Sequence, residues 1–275
     1  MLIDTHCHVP DESYEKTPAQ LISEASAEGV EKLITIGTNL EDSKIVIKTA
    51  EEFESVFAAI GIYPHEEVQR PIDETIQKLR ELVDSSNKIV GIGECGFDIA
   101  TETVNVQTQT QRPLDEQRML FEKQIELAME KDLPLIIHNR NGDAEVLNSL
   151  KRFANITNTN PTGVAHCFTS TWSFAKQLLD LGFYISFSAI ITYPSGKPIW
   201  ETAQKAPLDK VLVETDAPFL SPQGLRNKVN EPKYVKITAK TLADIRNISF
   251  EKLANATYEN SCRLFKKMAA QPTKA

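Results

Sequence analysis

Leu2-Ile3-Asp4-Thr5-His6-Cys7-His8 opens the chain with an apolar, β-branched run that ends in two histidines. In extended backbone, residues i and i+2 point to the same side, so both imidazoles project together from the carboxyl end of a strand. That arrangement is a ready chelate for a metal ion, although an isolated pair also fits one packed and one exposed histidine. Working outward, seven further short apolar runs recur at 32–36, 56–60, 89–92, 135–137, 163–165, 184–187 and 211–213, as strands of a buried parallel sheet do. Segments of helical period lie between and after them, at about 18–28, 41–53, 73–85, 143–153, 172–181, 196–205, 232–246 and 249–267. The clearest helix begins at Pro113, places Leu114, Phe121, Ile125 and Ala128 on one face, and stops before Asp132-Leu133-Pro134. Strand and helix alternating eight times predict an α/β fold, a single (β/α)₈ barrel, with an open doubly wound sheet as the alternative.

At roughly 150 residues per domain the chain would hold about 1.8 domains, but one barrel of about 250 residues is a single unit. All 275 residues are therefore read as one domain, closing on the helix at 249–267. The polar stretch 101–112, rich in Thr and Gln, reads as a long surface loop at one barrel mouth. Hydrophobic residues at 41% and charged residues at 25% are ordinary globular proportions, which excludes disordered and fibrous classes. No apolar run approaches the about 18 residues of a membrane span, and the N-terminus lacks a signal-peptide layout, so a cytoplasmic protein without membrane contact is expected. Thirty basic against 38 acidic residues give a net charge of −8, which excludes a broad basic surface for nucleic acid. DNA, if it is the substrate, must be held locally at a cationic site. No obligate protein partner is predicted.

The chemistry-bearing residues fall at strand ends, where a barrel of this kind places its active site. Glu94 ends the fourth strand, His138 the fifth, His166 the sixth and Asp216 the eighth, while His65 follows the third. His6, His8, His138, His166, Glu94 and Asp216 would together suit two divalent ions, with Asp216 also placed to take a proton from water. Gly91-Ile92-Gly93-Glu94-Cys95-Gly96 matches the spacing of a dinucleotide-binding turn. No helix follows it, however, and Glu94 would put negative charge where a pyrophosphate belongs, so that reading is rejected. Its glycines are expected to let backbone and metal approach closely. Cys7, Cys95 and Cys167 each adjoin a proposed ligand and are expected to pack against the helix layer, with Asp4 pointing inward below His6. Arg140, and Arg226 in the loop after the eighth strand, are candidate phosphate clamps, and His65 a further substrate contact.

Six stretches resemble, in order, the motifs of the TatD family of metal-dependent deoxyribonucleases, within the amidohydrolase superfamily. They are Asp4-Thr5-His6-Cys7-His8, Gly93-Glu94-Cys95-Gly96-Phe97-Asp98, Ile137-His138, His166-Cys167-Phe168, Glu214-Thr215-Asp216-Ala217-Pro218-Phe219-Leu220 and Arg226 with Asn230-Glu231-Pro232. The resemblance spans nearly the whole chain and implies a (β/α)₈ barrel and a two-metal phosphodiester hydrolase. It implies one ion on His6, His8, Glu94 and Asp216 and a second on Glu94, His138 and His166, with Glu94 bridging. The chain departs from the usual pattern at Asn139 and Asn141, at Gln223-Gly224-Leu225 before Arg226, and in the length of 99–112, all features that bear on substrate choice.

The leading expectation is a deoxyribonuclease that trims DNA from an end, using zinc, magnesium or manganese. The alternative keeps the metals and changes the substrate to an ester or amide, such as the aminoacyl ester of a mischarged tRNA, since related members are deacylases. A barrel that binds metal or a partner without turnover is the third reading, disfavoured by the full ligand set.

Overall fold

The computed structural model describes residues 1–100, 111–157 and 160–269. Of the loop expected over 101–112, all but Gln111 and Arg112 lies outside the described residues. The strands are β1 Leu2–Cys7, β2 Val30–Gly37, β3 Val56–Ile60, β4 Ile89–Asp98, β5 Leu135–Arg140, β6 Gly163–Ala165, β7 Tyr184–Phe187 and β8 Val211–Val213. They form one sheet in sequence order, every neighbouring pair parallel. The ring closes beyond β8. Cys7 forms a parallel bridge with Ala217, the His8 N–H donates to the Ala217 carbonyl at 2.7 Å, and the Asp216 N–H donates to the His6 carbonyl at 2.9 Å. The sheet is thus a (β/α)₈ barrel, and the open-sheet alternative falls.

The helices are α1 Pro18–Ala27, α2 Leu40–Glu52, α3 Ile72–Val83, α4 Leu114–Glu130, α5 Asp143–Thr157, α6 Trp172–Asp180, α7 Trp200–Lys205, α8 Val235–Ile245, α9 Phe250–Leu264 and α10 Lys266–Ala269. Parallel strands covered by helices bury both faces, and the apolar residues divide accordingly. Leu2, Leu33, Ala58 and Ile137 pack outward with helix residues such as Leu21, Val46 and Phe121. Ile3, Ile34, Phe57, Val90, Ile136, Val164 and Leu212 fill the barrel. Leu264, Phe265 and Met268 join that inner set, with Phe265 fully buried, and Lys32 Nζ donates to the Met268 carbonyl at 2.8 Å. The helix expected over 249–267 is accordingly broken at Phe265, which leaves the helical path to stopper the barrel at the amino ends of the strands.

Other helices also differ from the sequence reading. Residues 196–205 are not one helix: a 3₁₀ segment at Pro194–Ile199 precedes α7, because Pro194 and Pro198 lack the N–H groups that an α-helical ladder requires. In α4 the buried residues are Gln117, Leu120, Phe121, Gln124, Ile125, Leu127 and Ala128, while Leu114 is exposed. Gln124 earns its burial with its side-chain amide, which accepts from the Ile62 N–H at 2.8 Å and donates to the Ile62 carbonyl at 3.0 Å. Among the described residues no helix is long and apolar enough to cross a membrane.

Candidate metal centre

The ends of β1, β4, β5, β6 and the segment after β8 meet at one mouth, and local irregularities aim their side chains. In β1, Ile3 belongs to the inner set and Cys7 to the outer set, although simple alternation would put them on one face. A register shift between Asp4 and Cys7 breaks the alternation and turns His6 into the barrel. In β4, Gly93 and Gly96 have φ of +147° and +144°, and a Cβ on either would strike a β5 carbonyl, that of Ile136 or His138. These glycines therefore admit close approach between strand backbones, a correction to the expectation that they make room for a metal. That approach brings Glu94 against His138.

The six expected donors converge. Glu94 Oε2 lies 3.4 Å from His6 Nε2, while Oε1 lies 2.7 Å from His138 Nδ1 and 3.1 Å from His166 Nε2. Asp216 Oδ1 lies 3.5 Å from His6 Nε2 and 3.6 Å from His8 Nε2. The His138 Nδ1 and His166 Nε2 atoms are 3.3 Å apart, and the His6 and His166 rings stack at 4.0 Å. Ligand atoms about 2.0–2.1 Å from a tetrahedral ion sit about 3.3 Å from one another, so these spacings match donors arranged around cations. Glu94 turns one oxygen toward each cluster.

Most of the imidazoles have an acceptor behind them. His8 Nδ1 contacts the Ile36 carbonyl at 3.1 Å, His138 Nε2 lies 3.4 Å from Asp98, and His166 Nδ1 lies 3.5 Å from Glu214. Such contacts fix ring orientation and leave the opposite nitrogen for the metal. His6 lacks one: it is fully buried, its Nε2 faces Glu94 and Asp216, and its Nδ1 has no hydrogen-bond partner. A buried polar atom left in that state is costly unless something else satisfies it. Together with a set of four imidazoles and two carboxylates, this orphaned nitrogen fits a bound divalent cation.

Without metal, protons take over the role of cations. Burial opposes the charge on His166, but Glu94 and Glu214 overcome it and push its pKa well up. His138 and His8 also rise against their burial, through Asp98 and Glu94 for the first and Asp216 for the second. Glu94 is held well below the usual carboxylate range despite burial by His166, His138 and His6, and Asp216 is lowered against its burial chiefly by His8. His6 falls, through burial and then the charge of His166.

The mouth opens into a cavity of about 870 Å³. Arg140 lines it, with its guanidinium 3.7 Å from Asp98. Asp11 and Glu12 on the loop after β1, Asp42 in the first turn of α2 and Glu66 on the loop after β3 form an acidic arc, while Ile190, Phe219 and Leu220 make an apolar wall in the segments after β7 and β8. Arg226 is exposed, stacks on Tyr193 at 4.4 Å, and is not among the described residues lining the cavity. His65 also departs from its expected place as a substrate contact. Its ring is buried, and Nδ1 accepts the Arg112 N–H at 3.0 Å, because the chain before α4 folds back over the loop after β3. Cys7 and Cys95 pack outward as expected, whereas Cys167 lines the cavity at φ +43°, its Sγ 3.2 Å from Ser188 Oγ. Burial pushes all three thiols up, so they stay protonated. Asp4 is a structural carboxylate: it accepts from the N–H groups of His6 and Thr215 and from the Thr215 hydroxyl, sewing β1 to the segment after β8.

Sequence reasoning gave no role to Tyr63, Asp98, Glu214 or Phe219. Asp98 accepts from the Tyr63 hydroxyl and faces His138, and these contacts hold its pKa down at about 2 against its burial. Its even spacing from Glu94 along one strand is the signal that marks it. Glu214 accepts the Cys167 N–H and backs His166.

A (β/α)₈ barrel with buried histidines and carboxylates gathered at its carboxyl mouth defines the class of metal-dependent hydrolases. Comparison narrows the class. The family model described as TatD related DNase matches residues 3–266, and the chain belongs to the TatD family. It is 35% identical over 266 residues to the uncharacterized metal-dependent hydrolase YabD of Bacillus subtilis, covering 97% of this chain and 99% of that one. It is 33% identical over 268 residues to the uncharacterized metal-dependent hydrolase YcfH of Escherichia coli K12, covering 96% and 95%. Among solved structures, the TatD homolog YjjV of Escherichia coli K12 superposes with a TM-score of 0.85 at 27% identity, over 96% of this chain and 98% of that one.

Proposed function

We propose that this protein is a deoxyribonuclease that trims DNA ends at a site holding two divalent ions. The observation that carries the reading is Glu94, buried between two donor clusters with one oxygen directed at each. The matching family is described as TatD related DNase, which supports DNA as the substrate. His6, His8, Glu94 and Asp216 would hold one ion, and Glu94, His138 and His166 the other. Bound divalent ions acidify water and neutralise charge developing on phosphoryl oxygens. Asp216, held ionised by His8 and His6, accepts the proton that the attacking water releases. Arg140 holds a phosphate on the β5 side of the cavity. The acidic arc repels a phosphate backbone that would cross the loops after β1 to β3, which favours engagement of an end over the middle of a strand. Metal-reconstituted protein is expected to shorten end-labelled single- or double-stranded oligonucleotides, and Glu94→Ala to lose that activity. Undiminished cleavage by Glu94→Ala, or none by the parent, removes the reading.

The same arc favours one second reading. Four carboxylates beside a metal mouth suit a substrate with an ammonium group near the scissile bond, as in an aminoacyl ester of tRNA, and activated water attacks carbon as well as phosphorus. Parallel assays on aminoacyl esters and oligonucleotides separate the two: ester turnover without DNA cleavage selects the deacylase, and the reverse eliminates it.

A further inference from the structure

Of the exposed large apolar side chains, Phe219 and Ile45 line the metal cavity, and Phe219 is the aromatic one, 53% exposed. Its exposure is built in. The Phe219 N–H donates to the Asp216 carbonyl at 2.9 Å, and its own carbonyl accepts from Asn230 Nδ2 at 2.6 Å. Asn230 is fully buried, and Nδ2 also donates to the Thr215 carbonyl at 2.9 Å, so one clamp holds the backbone on both sides of Asp216 and sets where the Phe219 Cα stands relative to that proposed ligand. The ring stands edge-on to His8 with centroids 5.8 Å apart. A phenyl ring carried on a clamped backbone and left in water beside a site for a scissile bond suits a planar, apolar group next to that bond. In a nucleic-acid end that group is a nucleobase, whose π-face stacks on aromatic side chains with little regard to sequence.

We propose that Phe219 is the stacking platform for the base of the terminal nucleotide, and so determines preference for base-bearing ends. The inference rests on the nuclease reading above. The acidic arc lies across the mouth and directs the phosphates toward Arg140, leaving the apolar wall for the base.

The test uses two otherwise identical oligonucleotides, one normal and one carrying an abasic tetrahydrofuran residue at both ends. For the metal-loaded protein, kcat/KM is expected to favour the base-bearing end by roughly tenfold, the scale of one base–aromatic stack. In Phe219→Ala that ratio falls to about one, and in Phe219→Trp it is retained. The same ratio is read as Kd in the Glu94→Ala background, where cleavage does not intervene, and thermal melting checks that each variant is folded. An unchanged ratio in folded Phe219→Ala overturns the stacking role while leaving the nuclease reading intact. Failure of the parent protein to cut either oligonucleotide removes the nuclease reading and the stacking role with it.

Discussion

Asp98 stands 3.4 Å from His138 Nε2, while the other nitrogen of the same ring, Nδ1, lies 2.7 Å from Glu94. One imidazole is thus held between a carboxylate that orients it and a carboxylate that shares its place at the proposed metal centre. The pair carries the first prediction. Asp98→Asn is expected to weaken metal binding by about 10- to 100-fold, the range for loss of an orienting carboxylate. Competition with a chromogenic chelator measures it. Affinity equal to that of the parent protein would show that Asp98 does not orient His138.

Metal removal should be visible in stability as well as in activity. A ligand that binds only the folded state at 100 times its Kd adds about 2.7 kcal/mol, roughly 5–10 °C in Tm for a protein of this size. Adding zinc to chelator-treated protein is therefore expected to raise Tm by that order, and much less in Glu94→Ala. Equal shifts in the two proteins would place the ion elsewhere.

The protonation pattern predicts the pH dependence of metal binding. His8, His138 and His166 have raised pKa values in the metal-free fold. Their contribution to metal-free stability is fully present below the ordinary histidine pKa and is lost as pH rises through the raised values. Metal affinity has the opposite slope, increasing across that window because incoming ions must displace the protons. Glu94 and Asp216 are lowered, so their contribution is present above the ordinary carboxyl range and disappears as pH falls through the depressed values. Calorimetry near neutral pH, in buffers of different ionisation enthalpy, is expected to record net proton release on metal binding. Zero release would falsify the cluster as described.

The stopper at the base of the barrel is separable from the mouth. Phe265→Ala is expected to cost about 3–5 kcal/mol, the usual penalty for emptying a buried phenyl site. Denaturant unfolding reports the loss, and metal affinity under native conditions should stay unchanged because the Phe265 ring lies beside Gly91, on the amino-end side of Glu94.

Much of the fold was legible because buried parallel strands must be apolar and their ends need not be. The runs at 56–60, 163–165, 184–187 and 211–213 coincide with β3, β6, β7 and β8. The six donors stood out for the same reason, since each closely follows an apolar run, although β4 and β5 continue past Glu94 and His138 to Asp98 and Arg140, so those two do not end their strands as expected. What escaped notice depends on contacts between distant segments. His65 follows a strand as the others do, yet only the return of Arg112 over it decides that it is buried. Alternation in β1 also could not show that His6 needs a register shift to face inward. Asp98 and Glu214 owe their roles to the histidines of neighbouring strands, His138 and His166, which a one-dimensional pattern does not pair.

The stopper also has a temporal meaning. Ile3 and Phe265 share one apolar cluster, so a strand from the beginning of the chain cannot complete its packing until residues past β8 have joined it. Such distant contacts carry a loop-closure cost and slow the search for the native state. Catalytic competence should therefore arrive late and all at once during folding, since the strand that bears His6 and the segment that bears Asp216 are joined only when the ring itself is closed.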